Sequence, residues 1–381
     1  MQVKNSVLNL PRVGMAISKV KTEMPDAGAD FNGKIKRVQE ALENYFLSQE
    51  NDELGDFKII NISKRGFSTI TLLEGRTSKD YVKFVSKTIV HHPVNIAITQ
   101  KENQAVVEYN ILKFLHPKFE TVKGCSVPRP VLIIPEIETY VMEFVEGDLL
   151  ADEFRFARYF SSEKKFQRLK EHYYQCGRWL RHFQEFTGMH EEGPGSLTGV
   201  MERCDYRLKL IEDLNDSRCP EHLRRNVMGF LHDQYEQVKD EKITVSGRHG
   251  DFGSWNILAG PSGVTVIDYL GYGEDPVPVD ILKMLMNFED EKKYLAYSPR
   301  RIKDLRESFL KGYGSLPSIL PPALVICETF HRICSLLASL SNNGGRLHHR
   351  IERKICLKSN LKWLTDERYR KLLWPVHNIQ I

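Results

Sequence analysis

The chain has 381 residues, of which 41% are hydrophobic and 27% are charged, as is ordinary for a soluble globular protein of two lobes or domains. Its 54 lysines and arginines against 50 acids leave a net charge of only +4, so no nucleic-acid partner is expected. Its seven cysteines form no C-x-x-C pair, which argues against a disulfide framework or a zinc site and favours a cytoplasmic location.

No segment of the chain is expected to span a membrane. The longest apolar stretch, at 323–340, carries Glu328, His331 and Arg332, which is typical of a buried helix. The first 22 residues contain four basic residues and no acid, but a proline and a glycine interrupt them, so they lack the apolar core of a signal peptide. We expect a loosely held basic arm there, with contact to a membrane surface as the less favoured alternative.

The first part of the chain predicts one helix followed by strands. Apolar residues recur every three or four positions over 33–50, which indicates an amphipathic helix. Three short β-branched or aromatic runs between 57 and 86 predict a three-stranded antiparallel sheet. The following elements are a less regular insert at 87–100, a helix at about 101–115, and two strands near 131–136 and 139–145.

From about residue 147 the pattern is almost entirely helical, apart from a loop expected at 190–199. Helical periodicity covers 164–186, 202–214, 221–240, 279–290, 299–312, 320–341 and 346–373. Strands followed by helices predict an α+β fold with two lobes. The expected division is an N-terminal arm and helix at 1–55, an N-lobe of five strands and one helix at 56–146, and a helical C-lobe at 147–381.

The stretch RHGDFGSWNILAGPSGVTVIDYLG, at 248–271, concentrates acid and amide side chains in apolar surroundings. NILAG and VTVID read as two strands joined by a tight turn. Such a hairpin brings Asn256 beside Asp268, with Asp251 on the loop that leads in. Carboxylate and amide oxygens suit Mg²⁺, and another carboxylate could accept a hydroxyl proton. The set indicates phosphoryl transfer, although any one of the three alone could be a turn residue.

The residues HGDFGSWN at 249–256, followed by an apolar strand that ends in Asp268, resemble the aminoglycoside phosphotransferase and choline-kinase-like family, relatives of the protein kinases. Ser254 stands where proline is frequent in that family. The resemblance covers roughly residues 55–290. It implies a bilobal protein-kinase-like fold, with a small antiparallel-sheet N-lobe and a larger, mainly helical C-lobe. It also implies ATP- and Mg²⁺-dependent transfer of a phosphoryl group to an alcohol.

The resemblance also implies roles for single residues. Asp251 corresponds to the base that orients and deprotonates the acceptor hydroxyl, and Asn256 and Asp268 correspond to Mg²⁺ ligands. Lys83, in the third strand, corresponds to the contact with the α- and β-phosphates. Glu108, a lone acid in an apolar helix, corresponds to its partner, and pairing would remove the cost of burying either charge alone. The alternative for both is a surface charge on an amphipathic element.

Further nucleotide contacts follow from the same resemblance. The segment 63–71 lies where the phosphate-covering loop belongs, and its amides and the Ser68 hydroxyl are expected to line the phosphates. Met142 is expected to lie against the purine, with the Glu143 carbonyl and the Val145 amide at its edge. The phosphate loop has a single glycine, a departure from the family that leaves the choice between ATP and GTP open.

Three residues near the motif have expected structural roles. His249 is predicted to anchor the loop by hydrogen bonds, because histidine is an improbable ligand for Mg²⁺. Trp255 is predicted to pack beneath the loop in preference to stacking on a substrate. Asp280 is predicted to cap the helix that follows.

The acceptor is the least specified part of the prediction. The span 290–381 is rich in lysine and arginine, which argues against a polycationic aminoglycoside and favours a neutral or anionic sugar, glycan or lipid-linked acceptor. One alternative is a catalytically silent, nucleotide-binding regulator. Another is a protein Ser/Thr kinase, but only about eleven residues separate Asp268 from the next predicted helix, too few for an activation segment. The sequence gives no oligomeric state.

Overall fold

The computed structural model describes residues 27–50, 52–90, 103–293, 296–341 and 347–374. The basic N-terminal arm and most of the insert expected at 87–100 lie outside the described residues. The first element is the helix α1 (Ala27–Tyr45), which continues into a π-helical turn at Phe46–Glu50. It corresponds to the helix expected at 33–50.

A five-stranded antiparallel sheet follows, with the spatial order β1-β2-β3-β6-β5. Its strands are β1 (Gly55–Lys64), β2 (Ser68–Arg76), β3 (Tyr81–Ile89), β5 (Pro130–Ile134) and β6 (Thr139–Glu143). The helix α2 (Gln104–Phe119) and the short strand β4 (Cys125–Ser126) lie between β3 and β5. Five strands and one helix match the expected N-lobe, but β3 continues to Ile89, three residues beyond the run that predicted it.

The two faces of β3 pack against different helices. Phe84 belongs to a hydrophobic cluster with Val38 and Leu42 of α1, on one side of the sheet. Side chains alternate along a strand, so Val85 points to the opposite side, where it packs against the large core of the protein. The odd-numbered residues of β3 therefore face the rest of the molecule.

The remainder of the chain is mainly helical, as predicted. Its helices are α3 (Leu150–Glu153), α4 (Glu163–Phe186), α5 (Gly195–Asp213), α6 (Leu223–Glu236), α7 (Pro278–Glu291), α8 (Pro299–Tyr313), α9 (Pro321–Ser341) and α10 (Leu347–Thr365). The observed α+β layout is the predicted one. The division into 1–55, 56–146 and 147–381 stays a prediction.

Two small sheets lie within the helical part. The first has the order β4-β11-β10-β7 and adds β7 (Asp148–Leu149), β10 (Ile257–Gly260) and β11 (Gly263–Val266). The second has the order β12-β9-β8 and consists of β8 (His190–Glu192), β9 (Ile243–Arg248) and β12 (Gly273–Pro276). The prediction of a loop over 190–199 is therefore wrong, since this segment contains β8 and the start of α5.

The apolar helix α9 is part of the protein core. Within the described part of the chain it is the one helix long and apolar enough to cross a membrane, but most of it is buried inside the protein. Its charges are paired there: Nη2 of Arg332 lies 2.7 Å from Oε1 of Glu328, and Nη1 contacts Asn360 of α10. Buried charges are tolerated when they are paired and hydrogen-bonded. The expected buried helix is the one observed.

Glycines allow α4 and α8 to pack backbone against backbone. A Cβ atom at Gly177 would collide with the Phe309 carbonyl oxygen, and one at Gly312 with the Tyr174 carbonyl oxygen. Because the obstructing atoms are backbone, neither helix can yield by moving a side chain.

Gly177→Ala is therefore expected to lower the free energy of unfolding by about 1–3 kcal/mol, measured by urea titration, because the added methyl group overpacks the contact. Gly229→Ala in α6 is the matched control, since nothing lies within 4 Å of the added methyl group. Alanine's higher helix propensity should stabilise that variant by up to about 1 kcal/mol. Equal shifts in the two variants would contradict the packing argument.

Candidate active site

The predicted hairpin is formed by β10 and β11. Ile257 pairs with Val266 and Gly260 with Gly263, so the turn falls at the expected glycines. The amide of Ile267 donates to the carbonyl oxygen of Asn256 at 3.0 Å, which places Asn256 and the residues after β11 at the same end of the hairpin. Asp268 follows with φ of 70°, a left-handed conformation that is uncommon for a residue other than glycine.

The cation beside Asp268 is Lys87, and not Lys83. Nζ of Lys87 lies 2.7 Å from Oδ1 of Asp268 and 2.8 Å from each carboxylate oxygen of Glu108, with 3% of the side chain exposed. The side chain of Lys83 is 45% exposed, and its nearest acid is Glu74, at 3.9 Å. The predicted pairing of Lys83 with Glu108 is therefore wrong. Both lysines share one face of β3, but Lys87 lies about 13 Å further along the strand.

The buried carboxylate of Glu108 accepts hydrogen bonds from several groups in the protein interior. Besides Lys87, the hydroxyl of Tyr140 and the amide of Tyr269 each donate to Oε2 at 3.0 Å. Burial lowers the pKa of Lys87, but the Asp268 and Glu108 carboxylates outweigh burial and raise it overall. Burial by itself raises the pKa of Asp268. The charge of Lys87 outweighs burial, so the pKa of Asp268 lies below its ordinary value. The lysine and Asp268 are both charged at neutral pH.

The loop that carries Asp251 is held by a buried, neutral histidine. Nε2 of His249 lies 3.2 Å from the carbonyl oxygen of Ile267, and Nδ1 accepts from the amide of Asp251 at 3.4 Å. Burial lowers the pKa of His249 to about 4, and a neutral imidazole donates from one nitrogen and accepts at the other. Gly250 has φ of 86° and no room for a Cβ atom against the Gly271 carbonyl oxygen. His249 is thus the anchor that the sequence predicted.

Asp280 supports the same loop from α7. Its Oδ2 accepts from the amide of His249 at 2.6 Å, and its Oδ1 accepts from the amide of Gly250 at 3.0 Å. The cap of α7 is Val277, without a side-chain hydrogen bond, so the predicted N-cap role of Asp280 is wrong. Burial raises the pKa of Asp280 to about 6. A buried carboxylate requires donors, and the two loop amides supply them.

Asp251 is open to solvent and held on both oxygens. Its side chain is 44% exposed, and Oδ1 lies 2.9 Å from Nζ of Lys283 on α7. Oδ2 accepts from Nε1 of Trp255 at 2.8 Å and from Nδ2 of Asn256 at 3.1 Å. Trp255 therefore orients the acid as well as packing near it. Lys283 was missed by the sequence reasoning, although it is a single lysine in an apolar helical run, the signal that identified Glu108.

The remaining predicted contacts lie at different points along the five-stranded sheet, since Ser68 pairs with Ile89 and Glu143 with Phe84. Ser68 is the first residue of β2 and is buried. Met142 is buried in β6, and the carboxylate of Glu143 lies 2.7 Å from Nη2 of Arg129. The amide of Val145 donates to no other backbone group in the described part of the chain. The nucleotide contacts of these residues stay predictions.

Comparisons with known proteins support the fold. No protein-family model matches the chain, and no curated protein matches it in sequence. A solved structure from Ralstonia eutropha JMP134, provisionally named an aminoglycoside phosphotransferase, is similar with a TM-score of 0.59 and 14% identity, over 88% of this chain and 98% of that one. A choline kinase from Cryptosporidium parvum Iowa II has a TM-score of 0.52 and 12% identity, over 88% and 97%.

An amicoumacin kinase in complex with AMP-PNP and Ca²⁺ has a TM-score of 0.51 and 13% identity, over 90% of this chain and 97% of that one. At identities this low, the structural similarity establishes the fold alone. The chemistry has to be argued from the residues of this chain. The predicted bilobal, protein-kinase-like α+β fold is confirmed: the chain has the fold of these kinases.

Proposed function

We propose that this chain is a kinase that transfers the γ-phosphoryl group of ATP to a hydroxyl group of a small molecule, with Mg²⁺ as cofactor. The observation that carries the proposal is one constellation. Asp251, Asn256 and Asp268 occupy one hairpin and its leading loop, and the buried pair of Lys87 and Glu108 reaches Asp268 from the sheet. The amicoumacin kinase with AMP-PNP and Ca²⁺ supports the use of a nucleotide and a divalent ion.

The available oxygen atoms fit a magnesium ion. Of the two carboxylate oxygens of Asp268, Lys87 contacts Oδ1, which leaves Oδ2 for a metal ion. Asn256 directs its amide nitrogen to Asp251, and no described residue donates a hydrogen bond to its oxygen. One carboxylate and one amide oxygen suit Mg²⁺, which takes its other ligands from water and phosphate. When bound there, the ion would neutralise negative charge on the phosphates.

Each protein group has a defined task on this proposal. Lys87 takes the role expected of Lys83, contact with the α- and β-phosphates, and Glu108 fixes the position of its ammonium. Asp251 accepts the proton of the acceptor hydroxyl, while Lys283 and Trp255 fix its orientation. This arrangement suits phosphoryl transfer, in which catalysis is mainly positioning and charge stabilisation.

The same features weigh against the alternatives. A silent regulator has no need of an exposed, oriented acid at Asp251 in addition to the groups that hold a nucleotide. A protein kinase needs a long segment after Asp268, but α7 begins at Pro278 and β12 occupies part of the interval. We therefore propose a hydroxylated small molecule, such as a sugar, glycan or related metabolite, as acceptor. We also propose a cytoplasmic location.

The purified chain is expected to consume ATP in the presence of Mg²⁺ and a panel of hydroxylated small molecules, with phosphate transfer read by mass spectrometry. EDTA is expected to abolish turnover and added Mg²⁺ to restore it, because the ion held by Asp268 and Asn256 is what would neutralise the phosphates. Turnover that persists in EDTA would contradict the proposal. Phosphorylation of denatured proteins at rates comparable with small acceptors would favour the protein kinase, and nucleotide binding without turnover on the panel would favour the regulator.

A further inference from the structure

Two arginines of α5 lie against one aromatic ring of α9. The guanidinium carbons of Arg207 and Arg203 are 4.7 and 5.3 Å from the ring centre of Phe330. Both side chains are half-buried. Nε of Arg203 is buried and lacks a hydrogen-bond partner within the described residues.

These arginines belong to the same region as Lys283, the partner of Asp251. His331 follows Phe330, and its Nε2 lies 2.7 Å from the carbonyl oxygen of Val279 on α7. Val279 precedes Lys283 by four residues, about one helical turn, so both lie on the side of α7 that meets α9. Burial, with a smaller contribution from the neighbouring cations, lowers the pKa of His331 to about 3, so this residue is neutral.

The positive charges of this region outnumber their acidic partners. Asp275 serves two guanidinium groups, those of Arg203 and Arg248. Asp251 serves Lys283. No acid within the described ranges lies within 4 Å of the Arg207 guanidinium, whose hydrogen bond goes to the carbonyl oxygen of Arg203 at 3.3 Å. A half-buried guanidinium group without an acidic partner retains donors that can bind an anion.

The two carboxylate oxygens of Asp251 contact different parts of the site. Oδ2 contacts Asn256, the proposed metal ligand, and Oδ1 contacts Lys283. An acceptor hydroxyl at Asp251 therefore has the nucleotide groups on one side and Lys283 of α7 on the other, and Arg207 of α5 is close enough for its charge to act on Lys283. The group attached to that hydroxyl would extend towards positive charge.

We propose that the acceptor is an anion, a small hydroxylated molecule whose phosphate or carboxylate group binds Arg207 and Lys283 while its hydroxyl meets Asp251. The inference rests on the proposed kinase function. Guanidinium groups bind both kinds of oxyanion in bidentate fashion. An amine-bearing acceptor would instead place like charges together, which disfavours it.

The chemical step balances without further reagents. The acceptor hydroxyl loses its proton to Asp251, and its oxygen forms a bond to the γ-phosphorus of ATP. The bond between that phosphorus and the β–γ bridging oxygen breaks, and ADP leaves with the electron pair. The anionic group of the acceptor takes no part in bond changes and serves to position the hydroxyl.

The test compares four acceptor classes of similar size: neutral hexoses, hexosamines, hexose phosphates and hexuronic acids. The anionic classes are expected to show kcat/KM at least about tenfold above the neutral class, with hexosamines lowest. Arg207→Gln is expected to lower kcat/KM for the anionic classes by about 10- to 100-fold, mainly through KM, because a charge-assisted hydrogen bond is lost. Arg225→Gln, on the exposed surface of α6, is the matched control and should resemble the parent.

Calorimetric binding of the same molecules to the full chain loaded with AMP-PNP provides a readout without turnover. Binding of hexose phosphates alone would identify a phosphate site, and binding of both anionic classes would identify a site for either charge. Preference for neutral or cationic acceptors, or equal effects of the Arg207 and Arg225 substitutions in both assays, would overturn the inference. Asp251-dependent turnover of a neutral acceptor would then leave the kinase function standing. Arg207-dependent anion binding without ATP consumption would instead refute the kinase function and leave Arg207 as part of an anion-binding site without transfer.

Discussion

Replacing Lys87 by alanine is expected to lower kcat/KM for ATP consumption by at least about 100-fold, because a preorganised charge aimed at the phosphates is lost. The matched substitution Lys83→Ala is expected to change it by less than about twofold, since that side chain is 45% exposed and far from Asp268. Initial rates at varied ATP concentration measure both. A larger loss from the Lys83 substitution would restore the original sequence assignment and remove Lys87 from the phosphate site.

Stability must be separated from catalysis in this comparison. Lys87→Ala leaves Glu108 buried without its cation, which is expected to cost about 3–5 kcal/mol of unfolding free energy. The double variant Lys87→Met with Glu108→Gln removes both charges and should recover part of that loss. If the double variant folds as the parent does but remains inactive, the lysine acts on the phosphates. If it regains activity, Lys87 serves only the fold.

Asp251→Asn is expected to lower kcat by about 10²- to 10⁴-fold, because an amide cannot accept the proton of the acceptor hydroxyl. The side chain is nearly isosteric and 44% exposed, so KM for ATP should stay close to that of the parent, while loss of the ion pair with Lys283 should lower the melting temperature modestly. Steady-state kinetics with a saturating acceptor measure the effect, and a thermal melt verifies the fold.

The control for this substitution is Asp213→Asn at the exposed end of α5, where a carboxylate is removed without touching the loop. It should leave kcat unchanged. A near-parental kcat in Asp251→Asn would assign the acid a purely structural role with Lys283 and Trp255. A different residue would then have to act as the base.

The hairpin at the site could be predicted because its determinants are local. Short apolar runs define β10 and β11, and the glycines at 260 and 263 define the turn, so the pairing of the two strands follows from the sequence itself. Gly250 fits the same logic, since its backbone conformation and lack of space admit only glycine. These local patterns therefore predicted that Asn256 and Asp268 lie at the same end of the hairpin.

The lysine that pairs with Glu108 and Asp268 could not be located in the same way. The predicted lysine lies on the same face of β3 as the observed one, because side chains alternate along a strand. The sequence did not show where that strand ends. The sequence after Ser86 contains β-branched residues that continue β3 to Ile89, followed by histidines and a proline that suggested an irregular insert. Lys87 contacts Asp268, which is 181 residues further along the chain. No local pattern encodes such a contact.

The acceptor side depends still more on tertiary structure. Arg207, Phe330 and Lys283 come from three different helices, and each is ordinary in its own helical pattern. The three-stranded sheet that contains β8, β9 and β12 escaped prediction for a related reason. Strands of three to six residues show too few alternations to distinguish them from loops.

The ion pair that joins the sheet to the helical part also governs how the molecule comes apart. Glu108 receives the Tyr269 amide, and Lys87 reaches Asp268, so each half completes the other's buried polar groups. Drawing the halves apart would leave buried groups on each side without the partners that offset the cost of burying them. Heat is therefore expected to melt both halves in one cooperative transition.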